Sequence, residues 1–163
     1  MNKTLVVGEC PSKTNDGSAA GKQGPLDGPS GARLARLMGV SLQEFLDCFD
    51  RVNLFAEHVP YDEWDAPRAE TAAWQIMSYS RCEEIILLGR RVQRAFYRGN
   101  SDEQFFVPFT LSSRHMTVVP HPSGRNRFWN TPGNVDQART FWQAQARTIA
   151  NDRDAAQRQK EGE

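Results

Sequence analysis

Short apolar runs alternate along the chain with longer stretches whose apolar residues recur at helical spacing. "TLVVGE" (Thr4 to Glu9) is closed by a turn containing Gly and Pro, the pattern of a buried strand that delivers a loop at its carboxyl end. "RVNLF" (Arg51 to Phe55), "EEIILLG" (Glu83 to Gly89) and "HMTVVP" (His115 to Pro120) read as further strands. Between them, "SGARLARLMG" predicts a helix with Ser30 as N-cap, Leu34, Leu37 and Met38 on one face, and Gly39 as a stop. "SLQEFLDCF" repeats the logic, with Ser41 and Glu44 spaced as a capping box. "AETAAWQIMSYS" offers Trp74, Ile76, Met77 and Tyr79 to a core, "RRVQRAFY" is basic and amphipathic, and "NVDQARTFWQAQARTIA" places Val135, Ala138, Phe141, Trp142 and Ile149 at near-helical spacing.

Strands separated by helices imply parallel strands in an α/β sandwich. Such sheets bind ligands at the carboxyl ends of their strands. The loops after Glu9, Asn53, Gly89 and Pro120 are therefore expected on one edge. One domain over residues 1–150 is expected, with a polar tail over 151–163 that frays. From Cys10 to Gly31 the chain is nearly devoid of large apolar residues except Leu26, and a loop of that length is functional or mobile.

Charge narrows the function classes only a little. Twenty Lys and Arg balance twenty Asp and Glu, so the chain has no general attraction to a polyanion. Nucleic-acid binding would have to come from local patches, such as the arginines of "RRVQRAFYR" (Arg90 to Arg98) with Arg81, Arg114, Arg125 and Arg127, which are expected near the strand ends. A solvated helix face accounts for the same residues equally well. Cys10, Cys48 and Cys82 are widely spaced without a CxxC pair, so neither a disulfide framework nor a zinc site is indicated, and no metal or cofactor is expected. The first apolar run is too short for a signal peptide and no segment has the length of a transmembrane helix. A cytoplasmic monomer with no membrane partner is the expectation.

Candidate chemistry sits at the strand ends. Glu9 is a carboxylate placed to orient or deprotonate a water, or else a loop carboxylate pairing with a lysine such as Lys13. His121, held extended by the following Pro122, can donate to negative charge developing on a substrate, or simply end a strand at the surface. Asn53 has the donor and acceptor needed to read a pyrimidine edge, and is also an ordinary turn residue. "VPHPSGRNRFWN" (Val119 to Asn130) is too polar for a core and too aromatic for a plain turn; Ser123 and Gly124 suit close approach to a phosphate, with Arg125, Asn126 and Arg127 beside them. Two attractive motifs fail. "GSAAGKQ" (Gly17 to Gln23) is one residue short of a phosphate loop and lacks its Ser or Thr. Cys10 beside Glu9 has no histidine at a spacing that would make it a nucleophile.

Taken in order, "VVGECPS", "PLDGPSGARLARL", "RVNLF" and "VVPHPSGRN" resemble the uracil-DNA glycosylase superfamily over roughly Thr4 to Asn130. The resemblance implies a three-layer α/β/α sandwich with a short, mainly parallel central sheet. It also implies a monofunctional DNA glycosylase that flips uracil or a modified pyrimidine out of DNA and hydrolyses its N-glycosidic bond. Glu9 would then serve the attacking water and His121 the leaving base. Cys10, Pro11, Leu26, Asn53 and Phe55 would surround the base, and Ser12, Lys13, Ser123, Gly124, Arg125, Asn126 and Arg127 would hold DNA. The chain also departs from the family. Iron–sulfur members use four cysteine ligands where this sequence has three cysteines in all, and the Pro-Phe-x-Gly phenylalanine that stacks on uracil is replaced by Leu26 in "PLDG", which weakens the expectation of strict uracil specificity. Phe55 is the substitute ring. Variant members carried by phages and their hosts act on modified bases. Competing expectations are a catalytically silent DNA- or protein-binding module on the same fold, and an enzyme of modified-base or nucleotide metabolism.

Overall fold

The computed structural model describes residues 4–12, 24–97 and 104–161. Lys13 and the rejected phosphate-loop segment over 17–23 lie outside them. The strands are β1 (Thr4–Gly8), β2 (Asp50–Asn53), β3 (Glu84–Leu88), β4 (Pro108–Leu111) and β5 (Arg114–Val119). The helices are α1 (Pro29–Met38), α2 (Leu42–Cys48), α3 (Ala66–Tyr79), α4 (Arg90–Phe96) and α5 (Pro132–Glu161), with 3-10 turns at Tyr61–Glu63 and Arg127–Asn130. One five-stranded sheet in the order β2-β1-β3-β5-β4 joins them, parallel except for β4. The expected α/β/α sandwich with a short, mainly parallel sheet is what the chain forms.

Alternating residues of the central strands make the layers. Val6, Ile86, Leu88 and Val119 point to one face and pack with Leu34 and Met38 of α1, Phe45 of α2 and Trp142 of α5. Leu5, Val7, Ile85, Leu87, Met116 and Val118 point to the other, against Ala69 and Ala73 of α3 and Val92 of α4. From β1 the chain runs outward to β2 over the first face, and from β3 to β5 over the second. Right-handed crossovers require this reversal. The switch between β1 and β3 leaves a crevice at their carboxyl ends. Register brings those ends level: Gly8 pairs with Asn53, Val7 with Leu87, and Leu88 with Val119.

Local signals held in several places. Ser41 and Glu44 form the capping box, with Glu44 N–H donating to Ser41 Oγ at 3.2 Å and Ser41 N–H donating to Glu44 Oε2 at 2.8 Å. Gly39 ends α1 at φ 82°. Other expectations need correction. The α1 N-cap is Gly28, not Ser30, because Pro29 takes the first helical position, where a missing N–H costs nothing. Trp74 and Tyr79 are 69% and 82% exposed: α3 approaches the sheet along Ala69, Ala73, Ile76 and Met77, and neither aromatic shares that stripe. Residues 151–161, expected as a polar tail, continue α5, as suits a run rich in Ala, Gln and Arg without Gly or Pro, and Arg153 Nη2 donates to the Asp47 carbonyl at 3.0 Å. Strand β4 was not foreseen. Its turn to β5 uses Ser112 and Ser113, both at positive φ, in place of the Asn-Gly or Gly-Gly that signals a hairpin.

Candidate active site

Glu9, Cys10, Pro11, Ser12, Leu26, Asn53 and His121 line one cleft at the carboxyl edge of the sheet, with Asp27 and Ser30 beside them. The cleft encloses about 60 Å³.

The loop after β1 is sewn to the segment after β2. Leu54 and Phe55 N–H groups donate to the carbonyls of Gly8 and Glu9, each at 3.0 Å, extending the parallel ladder past the strands. Cys10 Sγ donates to the Val59 carbonyl at 3.8 Å, and His58 Nδ1 lies 3.0 Å from the Pro11 carbonyl. A carbonyl only accepts, so Nδ1 of His58 is the donor in this contact. Glu9 is thereby presented from a fixed backbone. Burial raises its pKa above the ordinary carboxylate value, opposed in part by the charge of Arg91, so its ionised form is a stronger base than a solvated carboxylate. Burial likewise raises the Cys10 thiol, which stays protonated and is a poor nucleophile.

His121 is defined by what its ring accepts. The Ser123 N–H donates to Nδ1 at 3.1 Å, so Nδ1 carries no proton and the ring is the neutral Nε2–H tautomer. Burial, with the nearby Arg91 charge, lowers its pKa in agreement with that geometry. The polar and aromatic residues further along the loop hold this histidine. Asn126 Nδ2 and Trp129 Nε1 both donate to the His121 carbonyl, at 3.1 and 2.9 Å, while Asn126 Oδ1 caps the 3-10 turn by accepting from Phe128 N–H. Asn126, expected on a ligand, thus spends both ends of its amide inside the loop. Arg125 and Arg127 are exposed on the same loop, and Ser123 Oγ accepts from Arg125 N–H at 3.2 Å.

Glycines make room for these side chains. A Cβ on Gly8 would lie 2.5 Å from Asn53 Oδ1, so Asn53 can lie across the end of β1 only because residue 8 has no side chain. Gly89, at φ 96°, would bring a Cβ within 3.0 Å of His121 Cβ.

Leu26 occupies the third position of a tight turn, at φ 66°, a conformation that costs a leucine about 1 kcal/mol. The turn closes through Asp27 N–H to the Gly24 carbonyl at 3.2 Å. Arg51 Nη1 clamps it from β2, donating to the Pro25 carbonyl at 2.7 Å and to Asp27 Oδ1 at 2.8 Å. Gly31 is obligatory beneath it, since a Cβ there would overlap the Leu26 carbonyl at 1.8 Å. Backbone strain of this kind collects at functional sites.

Phe55 does not belong to the site. Its ring is 1% exposed and packs 5.1 Å from Trp64 in the layer beneath α3, so it cannot replace the missing aromatic in the cleft. Arg114 is also misplaced by the sequence reading. It begins β5 at the opposite edge of the sheet and donates to the carbonyls of Met77, Ser80 and Cys82; Arg81 stands at that same edge. Sequence reasoning missed His58, Arg51 and Trp129, whose roles depend on contacts between distant segments, and took Arg91 only as one arginine of a basic helix.

No family model matches the chain, and no curated protein matches it significantly. Among the described residues, no group of three or more His, Cys, Asp or Glu side chains comes together to hold a metal ion, and no helix is long and apolar enough to cross a membrane.

Proposed function

We propose that the protein is a monofunctional DNA base glycosylase acting on uracil or a modified pyrimidine. The observation that carries this reading is the pairing, in one cleft, of a half-buried carboxylate, Glu9, with a histidine, His121, kept neutral and left with a single ring proton on Nε2. Hydrolysis of an N-glycosidic bond needs both. As the bond from C1′ to the base breaks, the electron pair leaves with the base and positive character develops on the sugar. Glu9 stabilises that cation and takes the proton of the water whose oxygen bonds to C1′. The Nε2–H of His121 donates to the negative charge on the departing base, which an immobile donor in a partly dry cleft stabilises far better than water does. Free base and an abasic deoxyribose result. Asn53 reads the base edge, and Leu26 and Pro11 supply apolar walls.

Leu26 in place of an aromatic ring on the cleft wall favours a second reading, a binding module without turnover. Mass spectrometry of free bases released from oligonucleotides carrying uracil, 5-hydroxymethyluracil, mismatched thymine or other modified pyrimidines, with the purine hypoxanthine as a control, separates the two. Release of one base names the substrate; DNA binding with no release from any of them selects the module.

A further inference from the structure

Two arginines near the cleft sit over aromatic rings, one on each face of the sheet. On the α1 side, the Arg33 guanidinium sits 5.2 Å from the Trp129 ring centroid, and its Nη2 is 3.7 Å from where a side chain on Gly124 would begin. Arg33 therefore stands beside the Ser123–Gly124 turn just after His121. On the α4 side, the Arg91 guanidinium lies 3.5 Å from the Tyr61 centroid and 5.2 Å from that of Trp64, and its Nη2 donates to the Tyr61 carbonyl at 2.9 Å. Arg91 is close enough to Glu9, Cys10 and His121 for its charge to act on all three. Trp129 packs with the α1 layer and Trp64 with the α3 layer, so the pairs occupy opposite banks of the cleft.

Arg51, Arg68 and Arg139 each pair with a carboxylate, whereas among the described residues neither Arg33 nor Arg91 does. A guanidinium has five N–H donors, and Arg91 commits one group of them to a carbonyl. Stacking fixes the plane of the fork before any ligand arrives, so less freedom is lost on binding an oxyanion. Tyr61 is 80% exposed despite carrying Arg91, which leaves its ring accessible to a second flat partner.

We propose that Arg33 and Arg91 grip the phosphates of a single DNA strand on either side of the nucleotide whose base enters the cleft, and that Tyr61 stacks on a neighbouring base. The two grips lie on opposite faces of the sheet, and a strand can bring a phosphate to each. This inference rests on the glycosylase reading and supplies the local cationic patch that a chain of zero net charge requires.

The test is fluorescence anisotropy with a labelled single-stranded oligonucleotide across a salt series, using Glu9→Gln protein to prevent turnover. Each phosphate contact on a single strand contributes about 0.7 to the slope of log K against log salt. Arg33→Gln and Arg91→Gln should each flatten the slope by about that amount, and the double variant by about twice it. Arg33→Lys and Arg91→Lys keep the charge and lose the planar fork, so they should keep the slope and weaken binding several-fold. Tyr61→Ala should weaken binding, with Tyr61→Phe matching the parent. Salt-dependent binding whose slope is the same in the parent and both Gln variants overturns the inference. The glycosylase reading survives that result if wild-type protein releases a base, and falls if it releases none.

Discussion

The indole N–H of Trp129 donates to the carbonyl oxygen of His121 at 2.9 Å, from eight residues further along the chain. Asn126 donates to the same oxygen at 3.1 Å. Both of that oxygen's lone pairs are satisfied, and the backbone carrying the imidazole is pinned from within its own loop. Trp129→Phe removes one donor and keeps most of the ring. Expected outcomes are a loss of about 1 kcal/mol in thermal or urea unfolding and a larger proportional loss in base release. Asn126→Ala loses the 3-10 cap as well and should cost more in both.

Glu9 and His121 both set the acid side of the pH profile. The proposed mechanism needs Glu9 ionised and His121 neutral. Burial lifts Glu9 above its ordinary 4.5, and burial with Arg91 holds His121 below its ordinary 6.5. Activity should therefore rise with pH through two ionisations and then stay level, with neither group producing an alkaline limb. Glu9→Gln should leave one ionisation in the residual rate, and His121→Asn should remove the other. The stability linkage of the two groups is opposed. His121, depressed, contributes stability present above 6.5 and lost as pH falls through its folded value, whereas Glu9, raised, contributes stability present below 4.5 and lost as pH rises through its folded value. Urea melts of wild type and each variant across this range measure both signs.

Asn53 depends on the bare backbone of Gly8. In Gly8→Ala the new Cβ would stand 2.5 Å from Asn53 Oδ1, so the amide must swing aside. The rate constant kcat/KM on the preferred base should fall more than about tenfold, at a stability cost of about 1 to 3 kcal/mol for overpacking. Once Asn53 is alanine the clash is gone, so adding Gly8→Ala to Asn53→Ala should lower activity little further. Additive losses in that double-mutant cycle would mean that Gly8 acts through something other than Asn53.

The cleft was legible because strand ends are well marked in a sequence: apolar runs stop at Gly8, Asn53, Leu88 and Pro120, and parallel pairing gathers the residues just beyond those stops at one edge. Chemistry carried by those next residues, such as Glu9 and His121, could be read off directly. Contacts between loops could not. Nothing in "FAEHVP" indicates that His58 binds the Pro11 carbonyl, and nothing in "RVN" shows Arg51 clamping the Leu26 turn. Phe55 was misplaced for a different reason: beside a site in sequence, it turns into the core two residues after Asn53. The β4–β5 hairpin was missed for another reason, since two serines take up positive φ without the residues that usually announce it.

Phe55 offers a check on its own placement in the core. Phe55→Ala should destabilise the fold by about 3 to 5 kcal/mol through the cavity it leaves. Activity per folded molecule, measured well below the melting transition, should stay close to wild type. A variant that folds well yet loses recognition of the base would return Phe55 to the cleft.

The most direct measurement is single-turnover release of the preferred base by wild type, Glu9→Gln, His121→Ala and the double variant, with folding verified for each. The expected losses are about 10² to 10⁴ for the carboxylate and about 10² to 10³ for the histidine, with the double variant losing less than the product of the two because both serve one transition state. Release unchanged by either substitution, or no release by wild type from any base tested, would contradict the assignment of Glu9 and His121 as the catalytic pair.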